Sequence, residues 1–218
     1  MAIPKIIHQT FKTSKLPFIT RWHINNFRRK NPDYKYEFYD DDRVESFFSE
    51  EYDQHVFETY KKINIGAVKA DMFRYAVLYK KGGVYVDIDS SINDKLDGFI
   101  KPDDKAIISL EGHLCFYAQW ALIYDANHPF LKRTLEIILE NISLNKYPND
   151  GHKMTGPSVY TQAINECLAE DPTIPYRLLG TDYNGHLKFK YPLGKFFLYK
   201  KGEHWKKQQK VTPVLKVE

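Results

Sequence analysis

The chain has 218 residues, of which 43% are hydrophobic and 15% aromatic. This composition excludes a disordered chain, and the length predicts a single domain, residues 1–218, with a sizeable core. The formal charge of +4 is too small to indicate a nucleic-acid-binding protein by itself. Cys115 and Cys167 are too few for a disulfide framework and predict free thiols in a reducing compartment.

Membrane and targeting signals are missing from the sequence. It has neither a basic leader followed by an apolar stretch nor an apolar run long enough to span a bilayer. We therefore expect no transmembrane segment and a cytoplasmic location, as for a soluble bacterial or viral enzyme. A lumenal location is the expectation if the sequence is a trimmed piece of an anchored protein.

Short strands and helices alternate along the chain. Apolar patterning predicts strands at 5–9, 34–39, 84–88 and 106–109, with another within 115–124. Helices are predicted at 20–30, 41–60, 65–81, 128–139 and 158–168, and loops with short strands over 172–202. This alternation predicts an α/β fold with a largely parallel sheet, in which ligands bind at the carboxyl ends of the strands.

The strand predicted at 84–88 leads into two carboxylates. Apolar and polar residues alternate from Val84 to Asp89, so the side chains of Asp87 and Asp89 are predicted to point to the same side, one pleat apart. Such like charges repel unless a cation lies between them, and aspartate oxygens suit Mg²⁺ or Mn²⁺. A solvated turn after a strand gives the same pattern, so an Asp-x-Asp sequence alone is weak evidence for a metal site.

The helix predicted at 65–81 adds a second polar pair. Asp71 and Arg74 are three residues apart and share a helix face, and Gly82 and Gly83 then allow a tight turn into the strand. A surface ion pair would give the same spacing. Because the turn is short, we expect the pair to lie beside the strand-end carboxylates and to face the same cleft.

Together these motifs resemble the Asp-x-Asp sugar-transfer region of glycosyltransferase family 32. The resemblance is carried by residues 70–75, 78–79, 82–85 and 87–89, by the opening 3–10, and by 31–36 ahead of 39–41. It covers residues 3–92 well and the rest of the chain loosely. The family includes yeast-type initiating α-mannosyltransferases and bacterial capsular sugar transferases, and its core is similar to that of clostridial glucosylating toxins.

The resemblance implies the glycosyltransferase A fold, a Rossmann-like mixed sheet flanked by helices. Residues 1–92 would form the nucleotide-sugar and metal-binding half, and 93–218 the acceptor side with a C-terminal lid. The implied reaction is a retaining transfer of a hexose from a UDP- or GDP-linked sugar to a glycan, lipid-linked or protein hydroxyl, as in polysaccharide biosynthesis. With no Gly-x-Gly-x-x-Gly and no P-loop in the sequence, the donor phosphates would be held by a metal.

Residue roles also follow from the resemblance. The expected catalytic residues are Asp71, Arg74, Asp87 and Asp89. Asp89 would bind Mn²⁺ (or Mg²⁺) directly, and Asp87 would bind it through water or hold the donor ribose. Asp71 would hydrogen-bond the donor sugar, and Arg74 would reach the sugar or the phosphates. The nucleotide pocket is expected to be lined by Tyr85 and by three residues of the opening strand. Those three are His8, Gln9 and Thr10, for which ordinary strand-end packing is an equally good explanation.

Two later segments have implied roles. His204 and Trp205 match a late His-Trp motif of the family, so His204 would be a third metal ligand, favouring Mn²⁺, and Trp205 would close over the donor. An exposed histidine beside a partly buried tryptophan is the alternative. Gln119 stands where the family often has an asparagine, which leaves the donor sugar open. Glu111 is the only nearby acid for a covalent intermediate, and a same-face substitution needs none.

Two other functions use the same residues. Paired aspartates also serve metal-dependent phosphohydrolases, and a nucleotide-sugar binding module that has lost catalysis would retain parts of the site. The complete set of Asp71, Arg74, Asp87 and Asp89 argues against the second. In every case we expect no nucleic-acid partner.

Overall fold

The computed structural model describes residues 3–112, 115–192, 198 and 211–216. The first half of the chain contains β1 (Ile6–Thr10), α1 (Phe18–Lys30), β2 (Lys35–Tyr39), α2 (Asp41–Glu51), α3 (Gln54–Lys62), α4 (Gly66–Lys81), β3 (Gly83–Val86) and β4 (Ser91–Ile92). After a 3₁₀ turn at Leu96–Gly98 come β5 (Ala106–Ser109), β6 (Ala121–Tyr124), α5 (Pro129–Ser143), α6 (Gly151–Met154), α7 (Pro157–Glu170), β7 (Arg177–Leu179), the helical turn α8 (Thr181–Asn184) and β8 (Leu187–Lys188).

Most strands of the central sheet run in the same direction. Among the residues described, the strand order is β2-β1-β3-β6-β5-β7, and β6 is antiparallel to both of its neighbours while the other pairs are parallel. β4 and β8 form a separate two-stranded sheet. The prediction of an α/β fold with a largely parallel sheet is confirmed.

Apolar clusters cover both faces of the sheet. One contains buried apolar side chains of α2 to α5 and α7, and the other contains Ile24 and Phe27 of α1 together with residues of β3, β5 and β6. No helix in the described part of the chain combines the length and apolarity that crossing a bilayer requires. The two apolar clusters show that the helices form layers packed on the sheet.

The single helix predicted over 41–60 is wrong. The backbone becomes extended at Tyr52, and α3 starts only after Asp53. The Asp53 carboxylate accepts a hydrogen bond from the Val56 amide at 3.0 Å, so this residue caps a new helix. The periodicity continues through the break because both helices bury their apolar side against the same core.

The turn between α4 and β3 depends on two glycines. Gly82 and Gly83 have φ angles of +61° and +103°. A Cβ atom at Gly83 would lie 2.6 Å from the carbonyl oxygen of Ile6 in β1, so only glycine fits here without displacement of the backbone. This turn brings the C-terminal end of α4 directly into β3.

The predicted end of β3 is also wrong. The strand was expected to continue to Ile88, but it ends at Val86, and the Ser90 amide donates to the Asp87 carbonyl at 2.9 Å. Asp87 and Asp89 therefore lie in a turn after the strand rather than one pleat apart on it. Both residues nevertheless line the same cavity.

Candidate active site

A cavity of about 790 Å³ opens at the carboxyl ends of β1 and β3. Its wall contains Thr10, the last residue of β1, and Asp87, the first residue after β3. The polar side chains on the same wall include Asp71, Arg74, Asp87, Asp89, Gln119 and Lys190. The sequence-based expectation that α4 and the loop after β3 face one cleft is therefore confirmed.

Arg74 lies at the centre of the site and binds two carboxylates at once. Its Nη2 atom is 3.1 Å from Asp71 Oδ1 and 3.0 Å from Asp87 Oδ1. Nη1 donates to the Gln119 carbonyl at 2.9 Å, and the guanidinium carbon lies 5.0 Å from the centre of the Tyr85 ring. Arg74 is only 5% exposed, so these electrostatic contacts lie in the low-dielectric interior, where they are stronger than in water. Together they fix the orientation of the guanidinium.

Asp71 is held on all sides. Besides Arg74, it accepts a hydrogen bond at Oδ1 from Gln119 Nε2 and one at Oδ2 from the Thr155 hydroxyl, both at 3.2 Å. Burial raises the pKa of Asp71 to about 7, an effect that Asp87 reinforces and that Arg74 only partly offsets. The carboxylate thus changes its charge near neutral pH.

The aspartates after β3 differ in their partners. Asp87 accepts at Oδ1 from the Tyr85 hydroxyl at 3.0 Å and from Arg74. Burial raises the pKa of Asp87, against the opposing effect of Arg74. Burial and the neighbouring Asp87 raise the pKa of Asp89 to about 6, while Lys190 lowers it. No described side chain donates a hydrogen bond to the Asp89 carboxylate, so this pair favours a cation beside it.

The three residues of the opening strand occupy different places. Thr10 lies on the cavity wall, and its hydroxyl donates to the Tyr39 carbonyl at 2.9 Å. His8 is fully buried with Nε2 3.0 Å from the Gly82 carbonyl oxygen, and burial lowers the pKa of His8 to about 4. Gln9 is also buried, and its Nε2 donates to the Asp87 carbonyl at 3.2 Å. In this structure His8 and Gln9 therefore support the turns that carry the site.

The structure adds residues that the sequence did not identify. Lys190 lies on the cavity wall near Asp87 and Asp89, and it has a positive φ of +56°. The amide of the next residue, Tyr191, donates to the Asp89 carbonyl at 2.8 Å. No local pattern marks Lys190, because its role depends on a segment about one hundred residues away from Asp89. His204 and Trp205 lie outside the described residues.

Comparison with known proteins agrees with this geometry. Residues 20–107 match the family described as the glycosyltransferase sugar-binding region containing the DXD motif. Residues 20–107 are thus similar to the sugar-binding region of DXD glycosyltransferases. The match includes α4, β3 and the turn with Asp87 and Asp89, which contribute polar side chains to the cavity wall.

Named glycosyltransferases that are similar to this chain occur in a giant virus and in fungi. An uncharacterized glycosyltransferase of Acanthamoeba polyphaga mimivirus is 29% identical over 83% of this chain and 72% of its own length. The Saccharomyces cerevisiae mannosyl phosphorylinositol ceramide synthase is 39% identical over 44% of this chain, and the Schizosaccharomyces pombe initiation-specific alpha-1,6-mannosyltransferase 26% over 76%. The chain spans only 25% and 49% of these two fungal proteins.

Solved structures confirm the fold. The PaToxG glycosyltransferase superposes with a TM-score of 0.66 at 22% identity, covering 78% of this chain and 71% of that one. The UDP-bound glycosyltransferase domain of the YGT toxin gives 0.56 at 12% identity, covering 82% and 79%. The expected glycosyltransferase A fold and the expected likeness to initiating mannosyltransferases and glucosylating toxins are confirmed.

Proposed function

We propose that this chain transfers a hexose from a nucleoside-diphosphate sugar, UDP- or GDP-linked, to a hydroxyl acceptor in a reaction that requires a divalent metal. The observation that carries the proposal is the convergence of Asp71, Arg74, Asp87 and Asp89 on one cavity. A nucleotide donor is supported by the similarly folded YGT toxin domain, which is UDP-bound. The acceptor would enter from the side formed by residues 93–218.

The two aspartates after β3 fit a hard divalent ion. Asp87 Oδ1 accepts from Arg74 and Tyr85, whereas no described side chain donates a hydrogen bond to Oδ2. Asp89 would bind the ion directly, and Asp87 through Oδ2 or a water molecule. No group of three or more His, Cys, Asp and Glu in the described ranges forms a complete metal site. The donor phosphates, water or His204, which lies outside those ranges, would complete the coordination.

The metal identity depends on this remaining ligand. Oxygen ligands alone suit Mg²⁺, and a histidine ligand favours Mn²⁺. When bound, the ion would stabilise the negative charge on the departing nucleoside diphosphate. Lys190, on the same wall as Asp87 and Asp89, is placed to add a second positive charge for that leaving group.

The α4 pair would orient the donor sugar. Asp71 is fixed by Gln119 and Thr155, so its oxygens present acceptors for sugar hydroxyls in a defined position. Arg74 is fixed by the Gln119 carbonyl and would contact the sugar or the phosphates. Trp205, outside the described residues, would close over the donor, while Tyr85 supports Arg74 and Asp87 from behind.

We infer that the transfer retains the anomeric configuration through a same-face substitution. Asp71 and Asp87 are both bound by Arg74, which makes them weak candidates for a carboxylate nucleophile. In a same-face substitution the leaving phosphate accepts the proton of the acceptor hydroxyl as the new bond forms. The enzyme would then have to align donor and acceptor and stabilise the leaving group, roles that we assign to the cavity residues.

The acceptor is a glycan, a lipid-linked sugar or a protein hydroxyl. Among the relatives, one is named for mannosyl phosphorylinositol ceramide synthesis and another for alpha-1,6-mannosyl transfer. These names support a sugar or lipid hydroxyl, and a role in polysaccharide assembly is consistent with them.

Donor hydrolysis in the absence of an acceptor tests the proposal. Purified protein is incubated with UDP-, GDP-, TDP- and CMP-sugars in Mn²⁺, Mg²⁺ or EDTA, and nucleotide release is measured. We expect slow release from one donor that disappears in EDTA and in Asp89→Asn, while Asp103→Asn, a change at an exposed residue, keeps it. Full metal-dependent release by Asp89→Asn contradicts the role of Asp89.

The same assay separates the alternatives. Release of phosphate from simple phosphate esters, with no turnover of any sugar nucleotide, would support a metal-dependent phosphohydrolase. Metal-dependent thermal stabilisation by one nucleotide, with no turnover of a panel of glycan and lipid acceptors, would support a binding module.

A further inference from the structure

A second concavity, of about 830 Å³, lies on the outer surface of α1. Two large apolar side chains project there into solvent: Phe18 is 75% exposed and Trp22 is 48% exposed. They are four residues apart on the helix and therefore lie on one face, with Arg21 beside them. Large aromatic side chains that remain this exposed next to each other mark an interaction surface more often than isolated ones do.

The segment that contains this surface is uniformly basic. Residues 11–30 contain six lysines and arginines and no acidic residue, all six being exposed. Because the whole chain has a formal charge of only +4, the remainder is net negative. The next acidic residue along the chain after α1 is Asp33. The carboxylate of Asp97 is paired with the Lys5 ammonium group at 2.6 Å.

The α1 surface is continuous with the active-site loop. The Trp22 ring lies 4.8 Å from the His23 ring, which stacks on Tyr191 at 3.9 Å. The Tyr191 hydroxyl donates to the Thr20 hydroxyl at 2.7 Å, and its amide donates to the Asp89 carbonyl at 2.8 Å. Whatever binds α1 is therefore held next to the mouth of the catalytic cavity.

We propose that this face of α1 binds an anionic bilayer surface. Phe18 and Trp22 would enter the headgroup region, where aromatic rings are favoured, and the arginines would contact lipid phosphates. Exposed aromatics together with a uniformly basic helix match a surface that is negative outside and apolar beneath, which neither an acidic protein face nor a bare phosphate offers. Binding would place the cavity beside acceptors carried by the membrane.

Vesicle binding tests this surface without metal or nucleotide, so its failure is separate from failure of the proposed transfer reaction. The full chain is sedimented with phosphatidylcholine vesicles, with or without about one third phosphatidylserine, at low and high salt. We expect binding only to the anionic vesicles and its loss at high salt. Equal binding to both vesicle types, or none to either, overturns the proposal.

Charge variants show whether α1 is responsible. Arg21→Gln with Arg29→Gln removes two cations, and we expect a partition coefficient reduced roughly tenfold or more, since each basic residue near the surface contributes substantially. Lys62→Gln with Lys132→Gln removes two exposed cations elsewhere and serves as the matched control. An equal reduction by both pairs indicates attraction by overall charge and overturns the assignment to α1.

Aromatic variants show whether the helix enters the interface. Phe18→Ala with Trp22→Ala should reduce binding strongly, whereas Leu144→Ala, at a residue that is 65% exposed, should not. Fluorescence of the wild type should shift to the blue on vesicle addition, and Trp22→Phe should bind but lose this shift. Binding of single-stranded RNA that competes fully with vesicles and does not need the aromatics would identify a nucleic-acid surface instead.

Discussion

Replacement of Asp71 by asparagine isolates the cost of a buried charge at the centre of the site. Burial raises the pKa of Asp71 from an ordinary 3.8 to about 7 in the folded protein. At any pH between these two pKa values, the Asp71 carboxyl is therefore protonated in the folded state and ionised in the unfolded state. The free energy of unfolding therefore falls as pH rises through this window, and Asp71→Asn removes that dependence.

The magnitude follows from the same two pKa values. Each pKa unit corresponds to about 1.4 kcal/mol, so the full difference amounts to about 4 kcal/mol. Between pH 5 and pH 8, about 2.5 kcal/mol of it is expected to appear. Asp71→Asn should thus gain about 2.5 kcal/mol of stability relative to the wild type over this range, with the gain complete above pH 8.

Urea unfolding at pH 5, 6, 7 and 8 in EDTA measures this difference. Other titrating groups cancel between variant and wild type, and Asp103→Asn at an exposed position should show no trend. A difference that stays constant with pH would refute the reasoning, because it would mean that Arg74, Gln119 and Thr155 keep Asp71 ionised throughout. Donor hydrolysis should be lost in Asp71→Asn while nucleoside diphosphate still binds.

Three further substitutions are expected to change stability or nucleotide binding. Arg74→Met should lower the free energy of unfolding by about 3 to 5 kcal/mol, because it leaves two buried carboxylates without a cation; in urea unfolding, a loss below that of Arg74→Lys would contradict this. Gly83→Ala should cost about 2 kcal/mol or more through its φ of +103°, whereas Gly98→Ala, with open space around it, should leave the melting temperature unchanged. Lys190→Gln should weaken metal-free nucleoside diphosphate binding about tenfold in calorimetry, and an equal effect of Lys188→Gln would assign the loss to overall charge.

Most of the local structure was predictable from patterns within a few residues. The strand at the start of the chain and the helix before Gly82 follow from hydrophobic periodicity. The break at Asp53 was missed because an aspartate within an amphipathic stretch has the same pattern in a helix interior and at a cap. The early end of β3 was missed because alternation continues past Val86 into the turn.

The candidate site was also predictable only in part. The sequence by itself determined that Asp71, Arg74, Asp87 and Asp89 share one cleft, because a helix, two glycines and a strand hold them within 19 consecutive positions. Only the tertiary structure decided that Arg74 bridges two of these carboxylates, that Gln9 is buried beneath them and that Lys190 faces them. Such contacts join segments far apart in the chain, and no local pattern encodes the packing that brings them together.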